Sequence, residues 1–260
     1  MVCQVKLSYF DSNKPLIIPH RGGANIVPEN TLHALQTVSN EKFSHFETDL
    51  RMSKDGEVFL QHDETFDRTT NTSGLVGDFL WKDISKINAG YKFYRSRGLS
   101  EMSTRFVTLL EALTKFPDLK FNLDLKQSGM DKKVTDIIFS LKAESRVLVS
   151  SFSPKRLDNF IKVSKGRILT SGSFRENLVA RFLPSQKRNI KVNAIQAPFR
   201  WKGVQVHSSK LLNFCKLNNI PLHIWTVNSI DVFKKCLEIG CDGVITDEPI
   251  ILREYLRKKN

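Results

Sequence analysis

Short apolar runs alternate with amphipathic stretches along this chain, and that alternation predicts an α/β fold built on a parallel sheet. Eight such units within 260 residues match the number and length of a closed (β/α)8 barrel, the TIM-barrel architecture. A third observation agrees. Histidine, arginine and carboxylate residues gather where the early apolar runs end, the rim at which such a barrel presents its chemistry. A doubly wound open sheet is the competing architecture. No Gly-rich dinucleotide or P-loop signature follows any apolar run, and Gly22-Gly23 is not one.

Taken in order, Leu16-Ile17-Ile18-Pro19 reads as a strand that delivers His20 and Arg21. Glu29 to Asn40 reads as a helix, with Asn30 or Thr31 as its cap and Leu32, Leu35 and Val38 on one face. Phe46 to Leu50 is the second strand. Lys54-Asp55-Gly56 turns the chain into a further strand, Val58 to Gln61, which delivers His62. From Asp63 to Arg105 the pattern is irregular and rich in Gly, Ser, Thr and aromatics. A connection this long inside a barrel is an insertion (residues 63–106) above the mouth, placed to choose the substrate. Regular alternation then resumes, with helices expected at 109–116, 132–143, 155–164, 177–183, 208–217 and 231–238. The strands between them fall at 120–125, 146–152, 167–170, 194–197, 222–227 and 243–246, and a helix at 251–256 closes the chain. The whole of residues 1–260 is read as one domain.

The chemistry-bearing residues are concentrated in the first quarter: His20-Arg21-Gly22, Pro28-Glu29-Asn30-Thr31, Glu47-Thr48-Asp49, His62-Asp63 and Arg68-Thr69-Thr70. Glu47 and Asp49 lie two apart on one strand, so their side chains share a face. Two carboxylates held together repel unless a cation joins them, which points to a hard divalent metal.

Five motifs in this order and at these spacings resemble the glycerophosphodiester phosphodiesterase family. The resemblance extends through Leu123-Asp124-Leu125-Lys126, Trp225-Thr226-Val227-Asn228 and Asp242-Gly243-Val244-Ile245-Thr246-Asp247, covering nearly everything after the first dozen residues. It implies metal-dependent hydrolysis of glycerophosphodiesters to sn-glycerol 3-phosphate and an alcohol. His20 and His62 would be the acid–base pair, with His62 protonating the leaving alcohol and His20 assisting the attacking oxygen. Glu47, Asp49 and Asp124 would hold one divalent metal. Their all-oxygen chemistry suits Mg²⁺ or Ca²⁺. Familiar members carry Glu at the position of Asp124, and the shorter side chain still supplies an oxygen. Arg21 and Lys126 are the expected phosphate holders. Glu29 and Trp225 are expected in the substrate pocket, although Glu29 serves equally well to orient Arg21. Asp63 would fix the loop beyond His62.

A lysophospholipase D acting on acylated phosphodiesters is the alternative within the enzyme class. Phe66, Phe79, Leu80, Trp81, Tyr91, Phe93 and Tyr94 of the insertion would line its apolar groove. A non-catalytic protein that binds phosphate or an anionic surface is the alternative from a different class, and the presence of every proposed catalytic group argues against it.

Composition narrows the setting. Apolar residues make up 40% and charged residues 26%, ordinary for one large core with a charged surface. No run approaches the roughly 20 apolar residues of a membrane span. Met1 to Phe10 lacks the pattern of a signal peptide, so the expected location is the cytoplasm. Cys3, Cys215, Cys236 and Cys241 form neither a C-x-x-C pair nor a zinc-like spacing and are read as reduced thiols. A net charge of +13 raises the local concentration of anions. A generally basic, solvated surface accounts for it, with peripheral contact with an anionic membrane as the further option. The cluster Arg253, Arg257, Lys258 and Lys259 contains too few aromatics for a specific nucleic-acid platform.

Overall fold

The first strand, β1 (Leu16–Pro19), is short because Pro19 ends its run of apolar residues, and it pairs in parallel with the last strand of the chain. The computed structural model describes residues 9–10, 15–100, 102–182, 191–201, 204–206 and 209–259. The remaining strands are β2 (His45–Met52), β3 (Val58–Leu60), β4 (Lys120–Leu125), β5 (Val147–Ser150), β6 (Leu169–Thr170), β7 (Ile195–Pro198), β8 (Arg200–Trp201), β9 (Val204–Gln205), β10 (Leu222–Trp225) and β11 (Gly243–Thr246). The helices are α1 (Leu32–Asn40), α2 (Trp81–Ile84), α3 (Tyr91–Ser96), α4 (Leu109–Lys115), α5 (Asp131–Ser140), α6 (Pro154–Val163), α7 (Phe174–Phe182), α8 (Ser209–Leu217), α9 (Ile230–Ile239) and α10 (Pro249–Lys259).

Hydrogen bonding arranges the strands as one sheet in the order β3-β2-β4-β5-β6 and another in the order β1-β11-β10-β7. Apart from β3, which runs antiparallel to β2, their pairings are parallel. Single parallel bridges join the two sheets at both seams, His20 to Glu47 and Ser171 to Ala194. The eight parallel strands therefore follow one another in chain order around a ring, the expected (β/α)8 arrangement. β8 and β9 form a small separate hairpin after β7.

The register sets the site. Glu47 of β2 lies beside Asn122 of β4, and Asp49 beside Asp124. With His20 bridged to Glu47, groups from three neighbouring strands occupy adjacent layers of the interior. Residues 45–50 of β2 are all buried, one face against the helices and the other inside the barrel. Outside the barrel, Leu35 and Val38 of α1 pack with Phe46, Phe121 and Val134 in one apolar core, while Phe214, Ile224, Phe233 and Leu252 belong to another. At the start of the chain Tyr9 packs among Leu148, Leu169 and Ala194, and its ring meets His45 edge-on at 5.0 Å.

Several boundaries differ from the sequence reading for local reasons. The first helix begins at Leu32 rather than Glu29, because Thr31 is the cap and its hydroxyl accepts from the Ala34 N–H. The α7 helix begins at Phe174, three residues before the expected start. β6 is two residues long because only Leu169 and Thr170 pair regularly with β5. The largest correction concerns the insertion, which is folded rather than irregular. It contains α2, α3 and a short 3₁₀ turn at Val76–Asp78. Phe66, Val76 and Ile84 form a core with Phe59 and Phe106, against which Phe79 and Trp81 pack. Ring contacts of 5.3–5.6 Å hold this cluster together. The aromatics expected to line a groove thus include the chains that close the insertion's own core.

Cys215, Cys236 and Cys241 are buried free thiols, as expected. Cys3, Leu183, His207 and Ser208 lie outside the described residues. Among the described residues no helix is long and apolar enough to cross a membrane. Of the basic cluster near the end of the chain, Arg253 is ion-paired with Glu41, and Arg257, Lys258 and Lys259 are exposed in the last turn of α10.

Gly22 follows the first catalytic candidates with φ +90°, and a β-carbon there would meet Ala34 Cβ at 2.5 Å and the Phe46 ring at 2.9 Å. Gly22→Ala is expected to cost about 2–3 kcal/mol of stability, from overpacking and from the left-handed backbone. Urea unfolding measures this, and a loss below about 0.5 kcal/mol would show that α1 yields without cost.

Candidate active site

The ends of four neighbouring strands converge on one cavity of about 740 Å³. β1 contributes His20 and Arg21, β2 contributes Glu47 and Asp49, and His62 follows β3. β4 contributes Asp124 and Lys126, and Trp225 closes the far wall from the end of β10. These positions are the C-terminal rim of the barrel.

Asp49 is the most heavily engaged of the carboxylates. One oxygen lies 3.0 Å from Arg21 Nε and accepts from Asn30 Nδ2 at 3.1 Å, and the other lies 2.9 Å from Lys126 Nζ. Asn30 is itself held by the Thr48 hydroxyl, which donates to Oδ1 at 2.7 Å. Burial alone would raise the Asp49 pKa, but Lys126 and Arg21 outweigh it and hold the carboxyl well below its usual range. Lys126 also donates to Asp124 Oδ2 at 2.6 Å. An ammonium has three N–H donors, so one remains for an anion in the cavity. Burial raises the Asp124 pKa, and the nearby Lys126 offsets this only in part. Glu47 stands two residues before Asp49 on the same strand. Its Oε2 accepts from the Arg21 backbone N–H at 3.0 Å, and burial pushes its pKa up to about 7 despite His20 nearby.

The two histidines are held alike. His20 Nδ1 lies 2.7 Å from Asp247 Oδ1, and His62 Nδ1 lies 2.7 Å from Asp63 Oδ1. Each ring thus has Nδ1 engaged by a carboxylate and Nε2 left for chemistry. Their proton affinities diverge. Burial would lower His20, but Glu47, 3.9 Å from Nε2, and Asp247 reverse that and raise its pKa. At His62 burial prevails and the pKa falls.

Glu29 does not line the cavity. It sits behind Arg21, accepting from Nη1 at 2.9 Å, and receives two bonds of 2.7 Å from Arg68. Arg68 also donates to Asp63 at 2.5 Å. An arginine on each side occupies its carboxylate, the geometry of the orienting arrangement that the sequence reading weighed beside a pocket role. The same network connects Arg21 to the partner of His62.

Four further residues shape the site that the sequence reading had not placed in it: Asn30, read there only as a candidate helix cap, Arg68, Asn228 and Asp247. Asn228 Nδ2 donates to Asp247 Oδ2 at 2.6 Å, and its Oδ1 accepts from the Asp247 N–H at 2.9 Å. All four fall inside the motifs read above, and that was their only signal. Their side-chain partners are 5 to 227 positions away in the chain.

The three expected metal ligands stand on adjacent strands, but they do not form a ready-made trio. Among the described residues no group of three His, Cys, Asp or Glu side chains is placed to hold a metal ion. The Lys126 ammonium lies between Asp49 and Asp124. Two observations nevertheless fit a cation. Asp124 Oδ1 is buried with no hydrogen-bond partner, and the raised Glu47 and Asp124 pKa values mark carboxylates short of positive charge.

Residues 20–251 match the model of the glycerophosphoryl diester phosphodiesterase family. A glycerophosphodiester phosphodiesterase of Caldanaerobacter subterraneus subsp. tengcongensis is 31% identical, the match covering 94% of this chain and 99% of the relative. A lysophospholipase D of Rattus norvegicus is 24% identical, over 92% of this chain and 85% of the relative. Among solved structures, an Oleispira antarctica phosphodiesterase in complex with the product sn-glycerol-3-phosphate aligns with a TM-score of 0.75 at 20% identity, covering 94% of this chain and 97% of that one. A glycerophosphoryl diester phosphodiesterase domain of Mycobacterium tuberculosis aligns with a TM-score of 0.78 at 19% identity, covering 94% and 100%. The solved structures bear out the barrel, and the family match over nearly the whole chain bears out the motifs: this chain belongs to the glycerophosphoryl diester phosphodiesterase family of enzymes.

Proposed function

We propose that the cavity hydrolyses glycerophosphodiesters to sn-glycerol 3-phosphate and an alcohol. The observation that supports this most directly is the pair of histidines, each fixed by a carboxylate, in one cavity with two cations and a carboxylate set. The family membership and the name of the Caldanaerobacter relative support the same reading.

A phosphodiester anion resists attack, so a site must first neutralise its oxygens. Arg21 and the remaining Lys126 N–H bind them, the former held in position by Glu29 and Asp49. One histidine takes a proton from the attacking oxygen and the other gives one to the departing alkoxide. The protein's own charges favour an order opposite to the sequence expectation, in which His62 donates. Glu47 and Asp247 raise the His20 pKa against its burial, which favours His20 as the donor, whereas burial lowers that of His62, which favours it as the acceptor. A divalent cation, Mg²⁺ or Ca²⁺, held by Glu47, Asp49 and Asp124 would add Lewis-acid stabilisation of the phosphoryl oxygens. A small-molecule substrate in the cytoplasm is the setting that this reading adopts.

His62→Ala and His20→Ala are each expected to lower kcat by 10²–10⁴-fold while leaving circular dichroism unchanged. Glycerol 3-phosphate release from glycerophosphocholine measures this, and a near-normal rate removes that ring from the mechanism. Chelation is expected to stop turnover, with Mg²⁺ or Ca²⁺ restoring it; full activity in chelator would remove the cation. Calorimetric metal titration of Glu47→Gln should show affinity weakened by about tenfold or more, whereas an unchanged isotherm would move the metal elsewhere. Arg68→Ala should loosen both Glu29 and Asp63 and lower kcat about tenfold with little change in KM. Equal kcat values would confine Arg68 to the surface.

A further inference from the structure

Charge is unevenly distributed along this chain. From Asn177 to Ile230 there is no Asp or Glu, although the stretch carries eight Lys and Arg side chains. The chain has 27 acids in 260 residues, so a gap of this length belongs to the segment and not to the overall excess of cations. Glu176, the acid that precedes it, is paired with Arg175, which also bonds both oxygens of Asp158 at 2.8 and 2.9 Å.

The fold brings part of this stretch to the rim where the cavity opens. The connection after β6 contains α7, and the one after β7 begins with β8 in the sequence Phe199-Arg200-Trp201-Lys202. Both leave the C-terminal ends of adjacent barrel strands. Phe174, Leu178 and Phe182 stand four apart on α7, so they share one side of the helix. Phe182 is 70% exposed, Phe174 53% and Leu178 41%, and Phe152, after β5, is 49% exposed. Cations stand among them: Arg181 next to Phe182, Arg200 exposed on β8, and Lys155 exposed in the first turn of α6. Ser173 and Asn177 lie on the same rim, so it is a mixed face and not a dry apolar groove.

An exposed patch of apolar side chains interspersed with cations marks a contact surface. A folded protein partner offers charges of both signs, whereas this stretch complements only one. A nucleic acid offers anions but no hydrocarbon for Leu178 and Phe182. A bilayer containing anionic lipid offers both, phosphates at its surface and apolar depth just beneath. We propose that the rim formed by the connections after β5, β6 and β7 docks on an anionic membrane surface. Phe174, Leu178 and Phe182 enter the headgroup layer, and Lys155, Arg181 and Arg200 meet the lipid phosphates. Phe152, Phe174 and Phe182 also line the cavity, so docking sets its mouth against the headgroups. Each cation near such a surface strengthens binding about fivefold, so three amount to about a hundredfold. Docking does not depend on the reaction proposed above.

Co-sedimentation of the whole protein with lipid vesicles tests this. Vesicles of phosphatidylcholine with about one third phosphatidylglycerol are expected to bind it at least about tenfold more strongly than phosphatidylcholine alone, and about 0.5 M NaCl should remove most of that difference. Leu178→Ala combined with Phe182→Ala, and Lys155→Glu combined with Arg200→Glu, should each weaken binding about tenfold or more. All four side chains are exposed, so circular dichroism should not change. Binding to neither vesicle, equal binding to both, or anionic binding that both double substitutions leave unchanged overturns the proposal. Binding of duplex DNA without binding of vesicles also overturns it and assigns the basic stretch to a nucleic acid.

Discussion

Everything at the mouth of this barrel depends on how Asp49 is neutralised. Its carboxylate is 1% exposed, and an ionised carboxylate in that position is costly unless cations reach it. Arg21 from the end of β1 and Lys126 from the end of β4 do so at 3.0 and 2.9 Å, and Asn30 adds a hydrogen bond. Those contacts fix where the two candidate phosphate-binding cations stand. Removing one member of such a buried set leaves a charge uncompensated, at a cost of about 3–5 kcal/mol. The same pairing explains why Asp49 is held ionised while Glu47, two residues away and facing the same interior, is pushed up to about 7. One carboxylate has two cations within reach, and the other has a backbone N–H and a histidine at 3.9 Å.

Around this centre the inserted segment and the barrel divide the labour. The insertion packs Phe66, Phe79 and Trp81 in a separate core and sends Arg68 back to the rim, where it bonds Glu29 and Asp63 at once. A change in the insertion can thus reach both Arg21 and His62 through two carboxylates without lining the cavity. On the opposite side, the connections after β5 and β6 bring the exposed apolar side chains Phe152, Phe174, Leu178 and Phe182 to the cavity beside polar ones such as Ser173 and Asn177, and they give the cavity its asymmetry. In the proposed reaction the phosphate is bound and activated by the polar groups on one side.

Much of the fold was legible because its signals are local. Strand β2 reads directly from an apolar run, and the placement of Glu47 and Asp49 on one face follows from the two-residue period of any strand. Thr31 announces the start of α1 by its hydroxyl. Boundaries failed where pairing, not propensity, decides them, as at β6, which has only two regularly paired residues. The insertion failed for a related reason. Phe66, Phe79 and Phe106 have no regular spacing, so nothing in their order shows that they meet.

By itself the sequence determined the element order, the families of charged groups at the strand ends and, through its motifs, the enzyme family. These follow from period, side-chain chemistry and a pattern of residues in line. Only the tertiary structure decided that Lys126 lies between Asp49 and Asp124, that Glu29 stands behind Arg21, and that Asp247 holds His20 from the other end of the chain. Each is a contact between strands or loops far apart in sequence. Such contacts arise when ring closure and register bring those strands together, and periodicity within one strand carries no record of its neighbour.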